Sequence, residues 1–267
     1  MLGAGCFVPA RCQVPGAVHG VETLVLCTTR YTGRLCTPHQ APRTAPGTRH
    51  PAPGTPVMRR VFVDPESPQR DALHEAATWI RGGGVVAIPT DTLYGLAADP
   101  FSAEASARVF ALKGRAADRA LPLIAADIEQ ITAHIGALSR AGERLAQRFW
   151  PGPLTLVVAA PFVLAKNVGG GTGRVGVRVP AHPVACAICR AVGRPVTATS
   201  ANISGQPATA EADDVERMLG DRLDLLIDAG RAPGGDPSTI VDVTAEPRLV
   251  RPGAIPWELI QTWLARA

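Results

Sequence analysis

The stretch VVAIPTDTLYGLAADP, residues 85–100, decides how the chain is read. Val85–Pro89 form a short, mostly apolar run of a length suited to a buried strand. It passes without a break into Thr90, Asp91, Thr92 and Tyr94, four side chains that require hydrogen-bond partners. A core strand that ends in such a cluster points to a use for those groups at its tip.

The same grammar repeats on either side. Upstream, PQRDALHEAATWIRGGG places Leu73, Ala76, Ala77 and Ile80 on one helical face and stops at Gly82–Gly84. Downstream, SAEASARVFALKG reads as a helix with Ser102 as N-cap and Glu104 in its first turn. There follow a strand at LPLIAA, helices over Ile128–Ile135 and Leu138–Phe149, and a strand at LTLVVAA. Next come a strand at VGVRVP, a helix at HPVACAICRAVG, a strand at PVTATS and a helix at EADDVERML. The pattern closes with strands at LDLLIDAG, STIVDV and RLVRPG and a helix at PWELIQTWLARA. Mixed elements with continuously apolar strands predict a single α/β domain over residues 58–267, a twisted mixed sheet covered by helices.

Composition narrows the classes. The chain has 267 residues, 46% of them hydrophobic, enough to bury a substantial core of a soluble protein. Its formal charge of +4 resides entirely in residues 1–57, which hold five Arg and one Glu; the remainder is formally neutral. A neutral domain has no global attraction for nucleic acid, so any polyanion site is a local pocket. Residues 1–57 also hold eight prolines, no serine and no sustained periodicity, and are expected to be a disordered extension. Its best apolar run, VETLVLC, is too short to span a membrane, and signal- or transit-peptide readings fit badly. Met58 is read as an alternative start, which would make the tail a product of gene calling. Cys6, Cys12, Cys27 and Cys36 are irregularly spaced and read as incidental; Cys186 and Cys189 fall in phase with a core helix.

The polar clusters all fall at strand ends: PTDTLYG, LKGRAADRALP, Arg178 in VGVRVP, TSANISG, Ser238 before TIVDV, and Arg251. Ligands of α/β sheets bind where such ends converge. Lys113, Arg115, Arg119, Arg178 and Arg251 concentrate positive charge suited to phosphate or carboxylate. Lys113 is one of only two lysines against 25 arginines. The alternative for Lys113 and Arg115 is a solvated helix C-terminus; for TSAN it is a plain turn. NVGGGTGR lacks the Lys-Ser/Thr of a phosphate loop and reads as a connection, and no HExxH or nucleophile elbow occurs.

PTDTLYGL, LKGR followed by LPL, WPGPLTLV, VRVPAHP, TSANISG, STIVD and RPG, in this order, resemble the YrdC/TsaC family of threonylcarbamoyl-AMP synthases, over about Val61–Ile255. The resemblance implies a YrdC-like fold around a concave, positively charged cavity. It implies the formation of threonylcarbamoyl-adenylate and pyrophosphate from L-threonine, bicarbonate and ATP, with Mg2+ accompanying ATP and no protein-bound metal. It assigns Lys113 and Arg115 to catalysis at the phosphates, Arg119, Ser200, Asn202 and Arg251 with them to ATP, and Thr92, Arg178 and Ser238 to threonine. It further implies a cytoplasmic location, no membrane association, and partner proteins that carry the product to tRNA. Ala116 stands where many relatives have Pro, and Arg119 where some have Asn. The chain ends one helix after RPG, like the short form of the family. Two other readings use the same fold: an RNA-binding module, disfavoured by neutral charge and 4% aromatics, and a carbamoyl-transfer domain related to hydrogenase maturation.

Overall fold

A computed structural model describes residues 58–114 and 120–266. The expectations placed on residues 1–57, including their four cysteines, and on Arg115 and Arg119 lie outside the described residues.

Strand β2 (Val86–Ile88) and strand β3 (Gly95–Ala97) form an antiparallel hairpin, with Val86 opposite Ala97 and Ile88 opposite Gly95. The polar run PTDTLY is therefore the loop of a hairpin whose second strand, GLA, the sequence reading leaves unassigned. Two parallel neighbours extend the sheet: β9 (Leu225–Asp228) lies beside β2, and β1 (Arg59–Phe62), also unassigned from sequence, lies beyond it. On the other side β8 (Thr199–Ser200) pairs with β3, so the order is β1-β9-β2-β3-β8.

The remaining strands make a second mixed sheet, ordered β11 (Arg248–Arg251), β10 (Thr239–Asp242), β5 (Leu154–Ala159), β6 (Arg174–Arg178), β4 (Leu123–Ile124) and β7 (Val196–Thr197). The mixed α/β class is as expected, but the strands divide between two sheets. PVTATS, read as one strand, is the place where they join: β7 pairs with β4, β8 pairs with β3, and Ala198 lies between them.

Alternation explains why VVAI reads as a continuous apolar run. Val86, Ile88 and Ala97 face a core shared with helix α1 (Arg70–Arg81) and helix α5 (Pro183–Val192). Val85, Ala87 and Leu96 face a second core with Leu154, Leu156, Val175 and Val177 of the other sheet. A strand buried on both faces needs apolar residues at every position. On α1 the buried face is Ala72, Ala76, Ala77 and Ile80, with Leu73 only half-buried, a rotation of the expected stripe by one position. Helix α2 (Ala103–Lys113) is capped as predicted, Ser102 Oγ accepting from the Ala105 amide, and ends at Gly114 with φ 56°, a left-handed position that favours glycine. Helices α3 (Ile128–His134), α4 (Arg140–Phe149), α6 (Ala212–Leu219) and α7 (Trp257–Leu264) complete the described elements, with a 3-10 turn at Gly220–Arg222. The paired cysteines lie on α5, buried and unoxidised. Among the described residues no helix is long and apolar enough to cross a membrane.

Candidate active site

The hairpin loop is held from several directions. Thr90 Oγ1 donates to the Leu93 carbonyl at 2.7 Å and lies 3.2 Å from Thr92 Oγ1. The Thr92 carbonyl accepts from the Gly234 amide, and the buried Tyr94 hydroxyl donates to the Gly230 carbonyl at 2.7 Å. These bonds fasten the loop to the segment after β9 and leave Asp91 and Thr92 at the tip.

Beside it lies the turn after β8. Gly95 stands opposite Ser200, and the Ala201 amide donates to the Tyr94 carbonyl. Lys113, the last residue of α2, is 3% exposed, so the solvated helix terminus is not what forms. Its Nζ donates to the Ser200 carbonyl at 2.6 Å, and to the Asn202 carbonyl and Oδ1 at 2.9 Å each. Ser200 Oγ donates to Asn202 Oδ1 at 2.6 Å, and Asn202 Nδ2 donates to the Gln206 carbonyl. TSAN is thus a turn organised around a buried ammonium.

On the other flank, Arg178 ends β6. Val175 and Val177 enter the core, so alternation turns Arg174, Gly176 and Arg178 to the opposite face of the sheet. The Arg178 guanidinium lies 3.1 Å from Asp91, both side chains 8% exposed. Burial pulls the Arg178 pKa down from its ordinary value, the Asp91 charge opposes that, and Arg251 adds to the lowering. Arg251 donates to the Ser238 carbonyl at 2.7 Å, and Ser238 Oγ lies 2.8 Å from Thr155 Oγ1. The RPG turn sits tightly there: a Cβ at Gly253 would run into the Pro237 carbonyl. A separate open depression of about 290 Å3 is bordered by Val157, Arg174, Gly176 and Asp242.

The seven described residues of the predicted set fall into three groups. Lys113, Ser200 and Asn202 form one group, Thr92 adjoins Asp91, which pairs with Arg178, and Ser238 and Arg251 form a third group whose charge reaches Arg178. Sequence reasoning left out Asp91, His182 and Thr155 as site residues. Asp91 and His182 were visible as polar residues inside PTDTLYG and VRVPAHP; Thr155 gave no signal, being one β-branched residue among others in a core strand.

The mixed α/β architecture is shared with solved relatives. The Sua5/YciO/YrdC family model, described as "Telomere recombination", matches residues 78–253, and the chain belongs to that family. It is 41% identical over 187 residues to a threonylcarbamoyl-AMP synthase of Pyrococcus abyssi, covering 70% of this chain and 55% of that one. It is 41% identical over 162 residues to a threonylcarbamoyl-AMP synthase of Halorhodospira halophila, covering 61% and 84%. Among solved structures it is similar to P. abyssi Sua5 complexed with L-threonine, with a TM-score of 0.73 and 38% identity over 76% of this chain and 60% of that one. The chain thus spans little more than half of the Pyrococcus relative.

Proposed function

We propose that the protein is an L-threonylcarbamoyladenylate synthase, converting L-threonine, bicarbonate and ATP into threonylcarbamoyl-AMP, pyrophosphate and water. The observation that carries this reading is that the Asp91 loop, paired with Arg178, and the Lys113–Ser200–Asn202 turn lie at the same end of the paired strands β3 and β8, in a chain similar to a Sua5 solved with L-threonine.

The chemistry requires positioning more than a protein nucleophile. The threonine amine and bicarbonate give a carbamate, whose oxygen attacks the α-phosphorus of ATP and expels pyrophosphate, in the manner of a nucleotidyl transfer. Catalysis then consists of holding two anions in line and offsetting their charge. Arg178, a buried fork of donors, suits a carboxylate, and Thr92 and Ser238 take the rest of threonine. The Ser200–Asn202 turn, Lys113, Arg115, Arg119 and Arg251 take the nucleotide and its phosphates. Magnesium enters with the triphosphate as part of the substrate. On this reading residues 58–267 carry the activity in the cytoplasm, the first 57 are dispensable, and partner proteins transfer the threonylcarbamoyl group to tRNA.

The test is pyrophosphate release from ATP, magnesium and bicarbonate by the full chain and by residues 58–267, with L-threonine, with L-serine and with neither. Threonine-dependent release is expected from both. Release that ignores threonine, or none from folded full-length protein, would refute the reading.

A further inference from the structure

Asp91, Arg178 and His182 approach one another from three elements: the β2–β3 loop, the end of β6 and the residue that caps α5. Both Asp91 carboxylate oxygens, Arg178 Nη1 and His182 Nδ1 are buried without a hydrogen-bond partner. The Asp91–Arg178 contact is close enough for charge attraction but not aligned as a hydrogen bond. Folded interiors leave few polar atoms in this condition. Four of them on three neighbouring residues define a place built for groups that arrive with a ligand.

The inventory fixes what those groups are. Asp91 offers only acceptors and Arg178 only donors, so the ligand presents a donor cation and an acceptor anion side by side. The α-ammonium and carboxylate of an amino acid are such a pair. We propose that Asp91 binds the α-amino group of the amino-acid substrate while Arg178 binds its carboxylate, which makes Asp91 the residue that selects an amine. The proposal rests on the synthase reading and adds a residue to it. His182 supports the assignment: burial lowers its pKa below the ordinary 6.5 against the pull of Asp91, so at neutral pH it does not compete with the substrate ammonium. The other groups facing this place do not compete either, since Arg251 adds positive charge on the Arg178 side and burial raises the Cys186 thiol pKa.

Calorimetric titration of the full chain tests it, using L-threonine and the 2,3-dihydroxybutanoate that has hydroxyl in place of the amine. Wild type is expected to prefer threonine strongly. Asp91→Asn should weaken threonine binding about 30-fold or more, the scale of losing one partner of a buried charge pair. The hydroxy acid should bind as before or more tightly, because Arg178 is no longer shared. Threonine affinity within about threefold of wild type, or equal losses for both ligands, would overturn the assignment and leave Asp91 a structural partner of Arg178. If Asp91→Asn does not fold by circular dichroism, Asp91→Glu decides on the same criterion: selective loss of threonine supports the role and parallel loss refutes it. Failure of wild type to bind L-threonine would overturn the synthase reading and this proposal together, whereas failure confined to the variants removes Asp91 alone.

Discussion

Replacing Lys113 by Met keeps the length of the side chain and removes its charge from a turn built around it. The ammonium donates to the carbonyls of Ser200 and Asn202 and to the Asn202 Oδ1, with Ser200 Oγ at 3.5 Å. Asn202 Oδ1 keeps a donor, Ser200 Oγ at 2.6 Å. The Ser200 carbonyl keeps the Asn202 amide at 3.0 Å. The Asn202 carbonyl loses its ammonium donor, at about 1–3 kcal/mol. Part of this returns because a buried ammonium no longer has to be desolvated, leaving a net loss of about 1–2 kcal/mol. At about 2–4 °C per kcal/mol for a domain of this size, the melting temperature should fall by roughly 2–8 °C. Catalysis should suffer more, by about 10²–10³ in rate, the scale of one preorganised charge contact. Scanning calorimetry and the pyrophosphate assay read the two effects separately. A variant melting within about 1 °C of wild type and releasing pyrophosphate at the wild-type rate would refute both the structural and the electrostatic argument. A variant as stable as wild type but inactive would assign the charge to the nucleotide alone.

Asp242 controls stability in acid. Burial pushes its pKa up, but bonds from the Thr244 hydroxyl and amide and from Arg248, with the charge of Arg174, outweigh it and leave the group at about 2, below its ordinary 3.8. A depressed carboxylate adds stability that is present above pH 3.8 and is lost as pH falls from there toward 2. Asp242→Asn should therefore cost about 1–2 kcal/mol at pH 7 by urea denaturation, with the difference from wild type shrinking toward pH 2; an equal difference at both pH values would contradict this. Cys186 and Cys189 are buried, and burial raises both thiol pKa values. Iodoacetamide should leave both unlabelled in native protein and label both in urea, as read by peptide mapping; native labelling of Cys189 would contradict the packing of α5.

Much of the fold is legible in the sequence because period and caps are strong where elements are long. α2, with Ser102 before it and Gly114 after it, and α5, with Pro183 at its start and Gly193 beyond it, are read nearly to their ends. The missed strands are short or carry weak patterns. β3 is only Gly-Leu-Ala, and β1 begins with two arginines, one of which, Arg60, serves the Asp228 and Glu216 carboxylates rather than a core. PVTATS hides its break because the two halves belong to different sheets while each remains apolar or β-branched, so periodicity registers no interruption. Among site residues, Arg178 and Ser238 were legible as polar groups beside apolar runs. Asp91 was not assigned because its role depends on two residues, 178 and 182, that the fold alone brings to it.

The division of PVTATS has a mechanical consequence. Thr197 is buried and bonds in both directions: its amide and hydroxyl reach Ala98 and Leu96 beside the first sheet, while its backbone pairs with Leu123 in the second. One peptide farther on, the Ala198 amide donates to Pro122, and β8 leads to the turn that Lys113 holds. The two sheets are therefore spliced through a single residue. The arginine at the end of one sheet and the turn at the end of the other are spaced by this splice and by the two ladders, β6–β4 and β4–β7, that lie between them, as jaws on a common frame. Whatever two groups they hold meet at a distance set by the splice and not by a hinge.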